Sequence, residues 1–336
     1  MKNPGQNPGM LYRMTQQFKE AQLLFAGIEL DVFSHLSAEA SAVAVAGQTG
    51  YDARNLALFL NSLVAIGLLK KNGECFQNTP VAEVFLNRHS SFYLGEYLVF
   101  WNEMTSLHRV AERVRLGPDA GIQQHNQGGR VYNFRELARL SATEIYTGRV
   151  QSFLQAIRDI FSPASALRLL DLGGGSGMMA IECAAHFPQA SGVIFEHPLV
   201  ADIPEQFVKE RGLADRLAVW RGDFTTDDIG TGYDLIIASG VLDFASADLP
   251  GMAARIARAL KPHGYLYLVS HQVSADFLTP KESIVNWLSS HLDGLNLLQS
   301  RQSIDAALAA AGLTKMSQQA QAGVISGLVG ELYHFA

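Results

Sequence analysis

Cysteine is scarce in this chain. Cys75 and Cys183 are the two found in 336 residues. They lie far apart and in no metal-ligand spacing, so neither a disulfide framework nor a metal centre is expected. A surplus of positive charge is also missing. The 26 Lys and Arg against 32 Asp and Glu leave a formal net charge of −6, and the pI is near 5.9. That balance offers no general attraction to nucleic acid or to an anionic membrane. No apolar run is long enough to span a bilayer. The first ten residues, MKNPGQNPGM, lack the basic flank and apolar core of a secretory signal. A reducing, cytoplasmic setting is the expectation. Internal repeats and low-complexity tracts are absent too. What is present is ample, because 48% of the residues are hydrophobic, enough at this length for two cores.

The two halves follow different patterns. Residues 1 to 115 form one expected domain, and from residue 10 it reads as helices with one small β element. LLFAGIELDVFSHL places apolar residues at helical spacing, and SAVAVAGQTGYDARNLALFLNSLVAIGLL adds two more helices, with Asp52 as N-cap of the second. In KKNGECFQNTP, Asn72-Gly73 signals a hairpin. Three helices and a hairpin predict a winged helix. A DNA-reading winged helix needs Lys and Arg on the helix that enters the groove. The candidate helix, from Arg54 to Leu69, carries one basic residue and is otherwise almost wholly apolar, and residues 1 to 100 hold seven basic side chains against eight acidic. No nucleic-acid partner is expected, and a winged-helix regulator stays as the rival outside enzymology. So apolar a helix is expected to be buried within its own domain or against a second copy, which predicts a homodimer.

Residues 116 to 133 are glycine-rich and polar, the expected linker. From 134 to 336 strands and helices alternate. The strands read LRLLDL, GVIFE, LAVWRGD, YDLIIAS and GYLYLVS, followed by a pair near LTKMSQQ and LVGELYHF. Strands that are apolar without alternation indicate a parallel sheet covered on both faces. The fold class is therefore α/β, a Rossmann-like doubly wound sheet behind a mostly helical N-terminal domain.

The stretch LRLLDLGGGSG, residues 167 to 177, carries the most chemistry. An apolar strand reaches Asp171 and turns through Gly173, Gly174, Gly175 and Gly177 into a helix. Such a corner usually holds a dinucleotide pyrophosphate on the helix N-terminus. A carboxylate beside the turn repels phosphate and suits a ligand with a cationic end. S-adenosylmethionine (SAM) has an ammonium and a sulfonium. Glu196 closes the second strand, 21 residues after Gly175, where an acidic residue takes ribose hydroxyls. Asp223 and Phe224 end the third strand, and Ser239 ends the fourth. These are the ends at which open α/β sheets bind ligands.

The glycine stretch resembles motif I of class I SAM-dependent methyltransferases, in the D-x-G-G-G-x-G form of the small-molecule O-methyltransferases. Those enzymes, the caffeate and acetylserotonin O-methyltransferases among them, have an N-terminal winged-helix dimerisation domain. The "GLL … NTP" passage and the helix VAEVFL resemble it. The resemblance implies SAM as cofactor, S-adenosylhomocysteine as product and a homodimer joined through the N-terminal domain. It also implies a small, aromatic or polycyclic acceptor. Arg221-Gly222-Asp223-Phe224 resembles the family's G-D-x-F passage, in which the acid accepts from the adenine amino group and the neighbour packs on the ring.

The resemblance breaks at the family's catalytic L-H-D-W passage. Here it reads Val241-Leu242-Asp243-Phe244, and a leucine takes no proton. The family's lysine a few residues earlier matches Ala238. Three readings stay open: a base from elsewhere in the pocket, a carbon, nitrogen or thiolate acceptor, or SAM binding without methyl transfer. The candidate replacement bases are His271, after YLYLVS, and His291, one helical turn from Trp287. The candidate acceptor-binding residues are Trp101, Met104, His108, Phe153, Phe244 and Trp287.

Overall fold

The computed structural model describes residues 5–118, 133–245, 247–320 and 328–336. It divides into two units, Met1–Phe100 and Trp101–Ala336. Most of the expected linker, residues 119–132, lies outside the described residues.

In the first unit a long helix, Gly9–Glu29, precedes helices Ala42–Thr49 and Ala53–Ala65. The expected cap is in place, since Asp52 accepts from the Asn55 N–H at 2.8 Å. Strands β2 (Leu69–Asn72) and β3 (Cys75–Asn78) form the hairpin. Gly73 takes the positive φ of 55° that its turn requires. A short strand β1 (Ala40–Ser41) pairs with β3, giving a three-stranded sheet. Helix Ala53–Ala65 turns Leu56, Leu60 and Leu63 into a core with Val32, Phe33, Leu36 and Phe76. Gly27 lets the long helix approach that core, because a Cβ there would lie 2.9 Å from the Phe33 ring. The N-terminal turns of the same helix leave Met10, Leu11, Tyr12, Met14 and Phe18 exposed.

The second unit is built on a seven-stranded sheet of order β6-β5-β4-β7-β8-β10-β9. Its strands are β4 (Arg168–Leu172), β5 (Ser191–Glu196), β6 (Leu217–Arg221), β7 (Tyr233–Ser239), β8 (Leu260–Ser270), β9 (Leu313–Ala320) and β10 (Val329–Phe335). Strands β4 to β8 run parallel, while β10 lies antiparallel between β8 and β9. Successive residues of β4 enter opposite cores. Leu170 and Leu172 meet helices Leu249–Ala259 and Arg301–Ala310, and Leu169 joins Phe153, Ile157 and Met179 on the other face. Covered on both faces, the strands read as continuous apolar runs. Glu331 anchors β10: its buried carboxylate faces Lys315 at 2.6 Å and accepts from the Tyr333 hydroxyl at 3.1 Å. The chain order reverses between β4 and β7, which puts the ligand crevice at their C-terminal ends. No described helix is long and apolar enough to cross a membrane.

Candidate active site

Two groups of side chains gather at that crevice. The first surrounds the glycine turn after β4. Asp171 is fully buried and accepts from the Ala180 N–H at 3.3 Å, tying the strand to the first turn of helix Met178–His186. Burial pushes its pKa up to about 7. Gly174 is required by space: a Cβ would stand 2.7 Å from Ile194 Cγ2 and 3.0 Å from Asp171 Cγ. Glu196 accepts from the Gly175 N–H through one oxygen and from the His197 N–H through the other, both at 2.6 Å. Burial raises its pKa above the usual carboxylate value, against those two backbone bonds. Each of its oxygens keeps a further lone pair for a donor.

The other three expected cofactor residues lie at the ends of β6 and β7. Asp223 accepts from the backbone N–H and the hydroxyl of Thr225, at 2.8 and 2.6 Å. It therefore builds its own turn at the end of β6. Phe224 packs over the glycines, its ring 3.4 Å from the Cβ position of Gly173. Ser239 ends β7 and accepts from Arg149 Nη1 at 3.2 Å.

Arg149 was not among the expected residues. It pairs with the buried Glu144 at 2.9 Å, while Arg149 Nε and Glu144 Oε1 have no hydrogen-bond partner. Ninety residues separate Arg149 from Ser239, and no motif marks it.

The second group forms around Asp243. A short 3-10 turn, Leu242–Phe244, follows β7 and buries Leu242 in the core. Asp243 is 0% exposed; its Oδ2 accepts from His271 Nδ1 at 2.8 Å, and its Oδ1 has no partner. His271 directly follows β8. On its far side Nε2 lies 3.0 Å from Trp287 Nε1. Trp287, on helix Lys281–Leu292, packs with Trp101, Met104, Phe244 and Ile284. The structure thus brings together His271, Trp287, Trp101, Met104 and Phe244.

The other candidates fall elsewhere. Phe153 is fully buried beneath the sheet against Tyr267, with ring centroids 5.0 Å apart. His108 hydrogen-bonds Ser106 at 2.8 Å and lines a separate cavity of about 180 Å³ with Arg109, Arg113 and Asp293. His291 is half-buried with an unpartnered Nε2, and burial lowers its pKa, so it favours the neutral form. Among the described residues no His, Cys, Asp and Glu cluster is suited to a metal ion.

The model of the O-methyltransferase domain matches residues 121–300, and that of the O-methyltransferase dimerisation domain matches residues 12–88. The chain belongs to the O-methyltransferase family. It is 27% identical over 277 residues to the tetracenomycin polyketide synthesis 8-O-methyl transferase TcmO of Streptomyces glaucescens, covering 80% of each chain. It is also 27% identical over 244 residues to the 3-hydroxy-5-methyl-1-naphthoate 3-O-methyltransferase of Streptomyces sahachiroi, covering 70% of this chain and 68% of the relative. Its fold is similar to that of human N-acetylserotonin methyltransferase in complex with SAM, with a TM-score of 0.70 at 20% identity over the full length of both chains. The protein is a SAM-dependent methyltransferase, and the glycine cradle with its buried carboxylates fits that cofactor.

Proposed function

We propose that this enzyme methylates a hydroxyl on a small, flat aromatic acceptor, with His271 as the general base. The observation that carries this is the Asp243–His271 pair. The buried carboxylate accepts from Nδ1 and so fixes the tautomer in which Nε2 carries the lone pair. That restores, from the end of β8, the proton acceptor that Leu242 fails to provide. Hydrogen positions follow here from the partners: a carboxylate accepts and an indole N–H donates.

The chain's other residues divide the remaining work. Asp171 sets negative charge beneath the turn for the cofactor's ammonium, and Glu196 takes the ribose hydroxyls. Asp223 and Phe224 would hold the adenine, and Arg149 beside Ser239, with its unpartnered Nε, would take the carboxylate end. When bound, the cofactor would supply an electrophilic methyl for the acceptor's oxygen, the S–C electron pair staying on sulfur in S-adenosylhomocysteine. Alignment provides much of the acceleration, and His271 takes the hydroxyl proton. Trp101 and Phe244 suit a flat acceptor.

The aromatic and polycyclic substrates named for the two Streptomyces relatives support the acceptor class. The matched dimerisation domain and the exposed apolar side chains of helix Gly9–Glu29 support a homodimer joined through the N-terminal unit. Two free cysteines suit a reducing cytoplasm. The test is incubation with methyl-labelled SAM and hydroxylated naphthalenes, read by mass spectrometry. O-methylated product in the wild type and its loss in His271→Ala with SAM affinity intact are expected. Full turnover in His271→Ala would reject His271 as base, and label on carbon or nitrogen would reject the hydroxyl acceptor.

A further inference from the structure

The base of the proposed reaction is already occupied. Trp287 Nε1–H points at His271 Nε2 over 3.0 Å, and an indole nitrogen only donates. The lone pair that should take the acceptor's proton therefore holds a protein N–H. Trp287 is itself fixed on three sides. Its ring stands edge-on to Trp101, Phe244 and His271, with centroids 6.1, 5.8 and 5.6 Å away and interplanar angles of 88°, 80° and 88°. Only 5% of the residue is exposed.

We infer that Trp287 is a specificity-determining residue whose indole N–H holds, in the resting site, the place on His271 that the acceptor's hydroxyl takes before transfer. The inference rests on the function proposed above. An indole and a phenol share the relevant chemistry: each offers one hydrogen-bond donor at the edge of a flat ring. Exchanging one for the other replaces a neutral hydrogen bond with a similar one. A ring without a donor fails to make that exchange. It leaves the imidazole nitrogen unpaired in a buried place, a disadvantage of roughly 5- to 150-fold in binding. Trp287 acts through His271 and is a positioning residue.

The test combines a spectroscopic signature with kinetics. In full-length protein saturated with S-adenosylhomocysteine, ¹⁵N-labelled tryptophan gives an indole resonance assigned to Trp287 by its loss in Trp287→Phe. His271→Leu removes the acceptor from that hydrogen bond. The resonance is expected to lie upfield in this variant of its place in the wild type. Adding 2-naphthol should move the same resonance, while naphthalene should not. In the transfer assay Trp287→Phe should raise kcat/KM for 2-naphthol roughly 2- to 10-fold through KM, since no N–H has to be displaced.

A resonance that His271→Leu leaves in place, or a fall in kcat/KM carried by kcat, overturns the inference. If the resonance responds neither to His271→Leu nor to 2-naphthol while wild-type protein still methylates 2-naphthol, the proposed function stands and the inference alone falls. If the response is present but no hydroxylated probe is methylated, the proposed function fails and takes the inference with it.

Discussion

Asp171→Asn separates what the buried carboxylate does for the cofactor from what it costs the fold. Burial raises its pKa from 3.8 to about 7, opposed by the Ala180 N–H and reinforced by the charge of Glu196. A folded-state pKa above the unfolded value means that the folded form binds the proton more tightly. The group's destabilising effect is therefore absent below about pH 3.8, grows through the window, and levels off above about pH 7. Each pH unit of that window is worth about 1.4 kcal/mol, so the ionised carboxylate costs the cofactor-free protein about 4 kcal/mol. Asparagine keeps an oxygen for the Ala180 N–H and carries no charge. Without cofactor, Asp171→Asn should be the more stable protein above neutral pH by up to about 4 kcal/mol. The gap should close toward pH 4. Urea unfolding of both proteins across this range measures it. Calorimetry should show SAM affinity reduced about 10-fold or more in the variant, the worth of a hydrogen bond to a charged group. A stability gap that does not change with pH would refute the argument from burial. Undiminished affinity would refute the argument that the charge serves the cofactor.

Three further outcomes are expected. His271→Gln should lower methyl transfer about 10²- to 10⁴-fold, the usual contribution of a general base, with SAM affinity by calorimetry unchanged. Lys315→Met strands the buried Glu331 carboxylate, which keeps Arg301 at 3.7 Å; urea unfolding should show a loss of about 3 kcal/mol, largely recovered in Lys315→Met/Glu331→Gln. Leu11→Asp/Phe18→Asp charges the exposed face of the long N-terminal helix, and light scattering at micromolar concentration should show monomers where the wild type shows dimers.

The cofactor corner was legible because its requirements fall on backbone and on strand ends. A turn with no room for a Cβ at Gly174 has to be written in glycine, and Glu196 has to close the strand beside it because it accepts from Gly175. The acceptor corner was less so. His271 and Trp287 were each candidates, but their contact depends on how a strand end and a helix sixteen residues later meet, which no spacing rule encodes. Arg149 was missed for the same reason. Phe153 shows the converse: an aromatic residue upstream of the glycine turn looks the same in sequence whether it lines a pocket or, as here, sits under the sheet against Tyr267.

The placement of β10 has a consequence for how the molecule is made. Because β10 separates β8 from β9, the sheet closes only after residue 335 has been synthesised. Until then the edge of β8, the strand that delivers His271, carries unpaired backbone groups open to pairing with another chain. A ribosome stalled or a protease cutting before Val329 would leave a nearly complete cofactor corner attached to an adhesive edge. The fragment would be expected to aggregate before it could release an inactive but soluble enzyme.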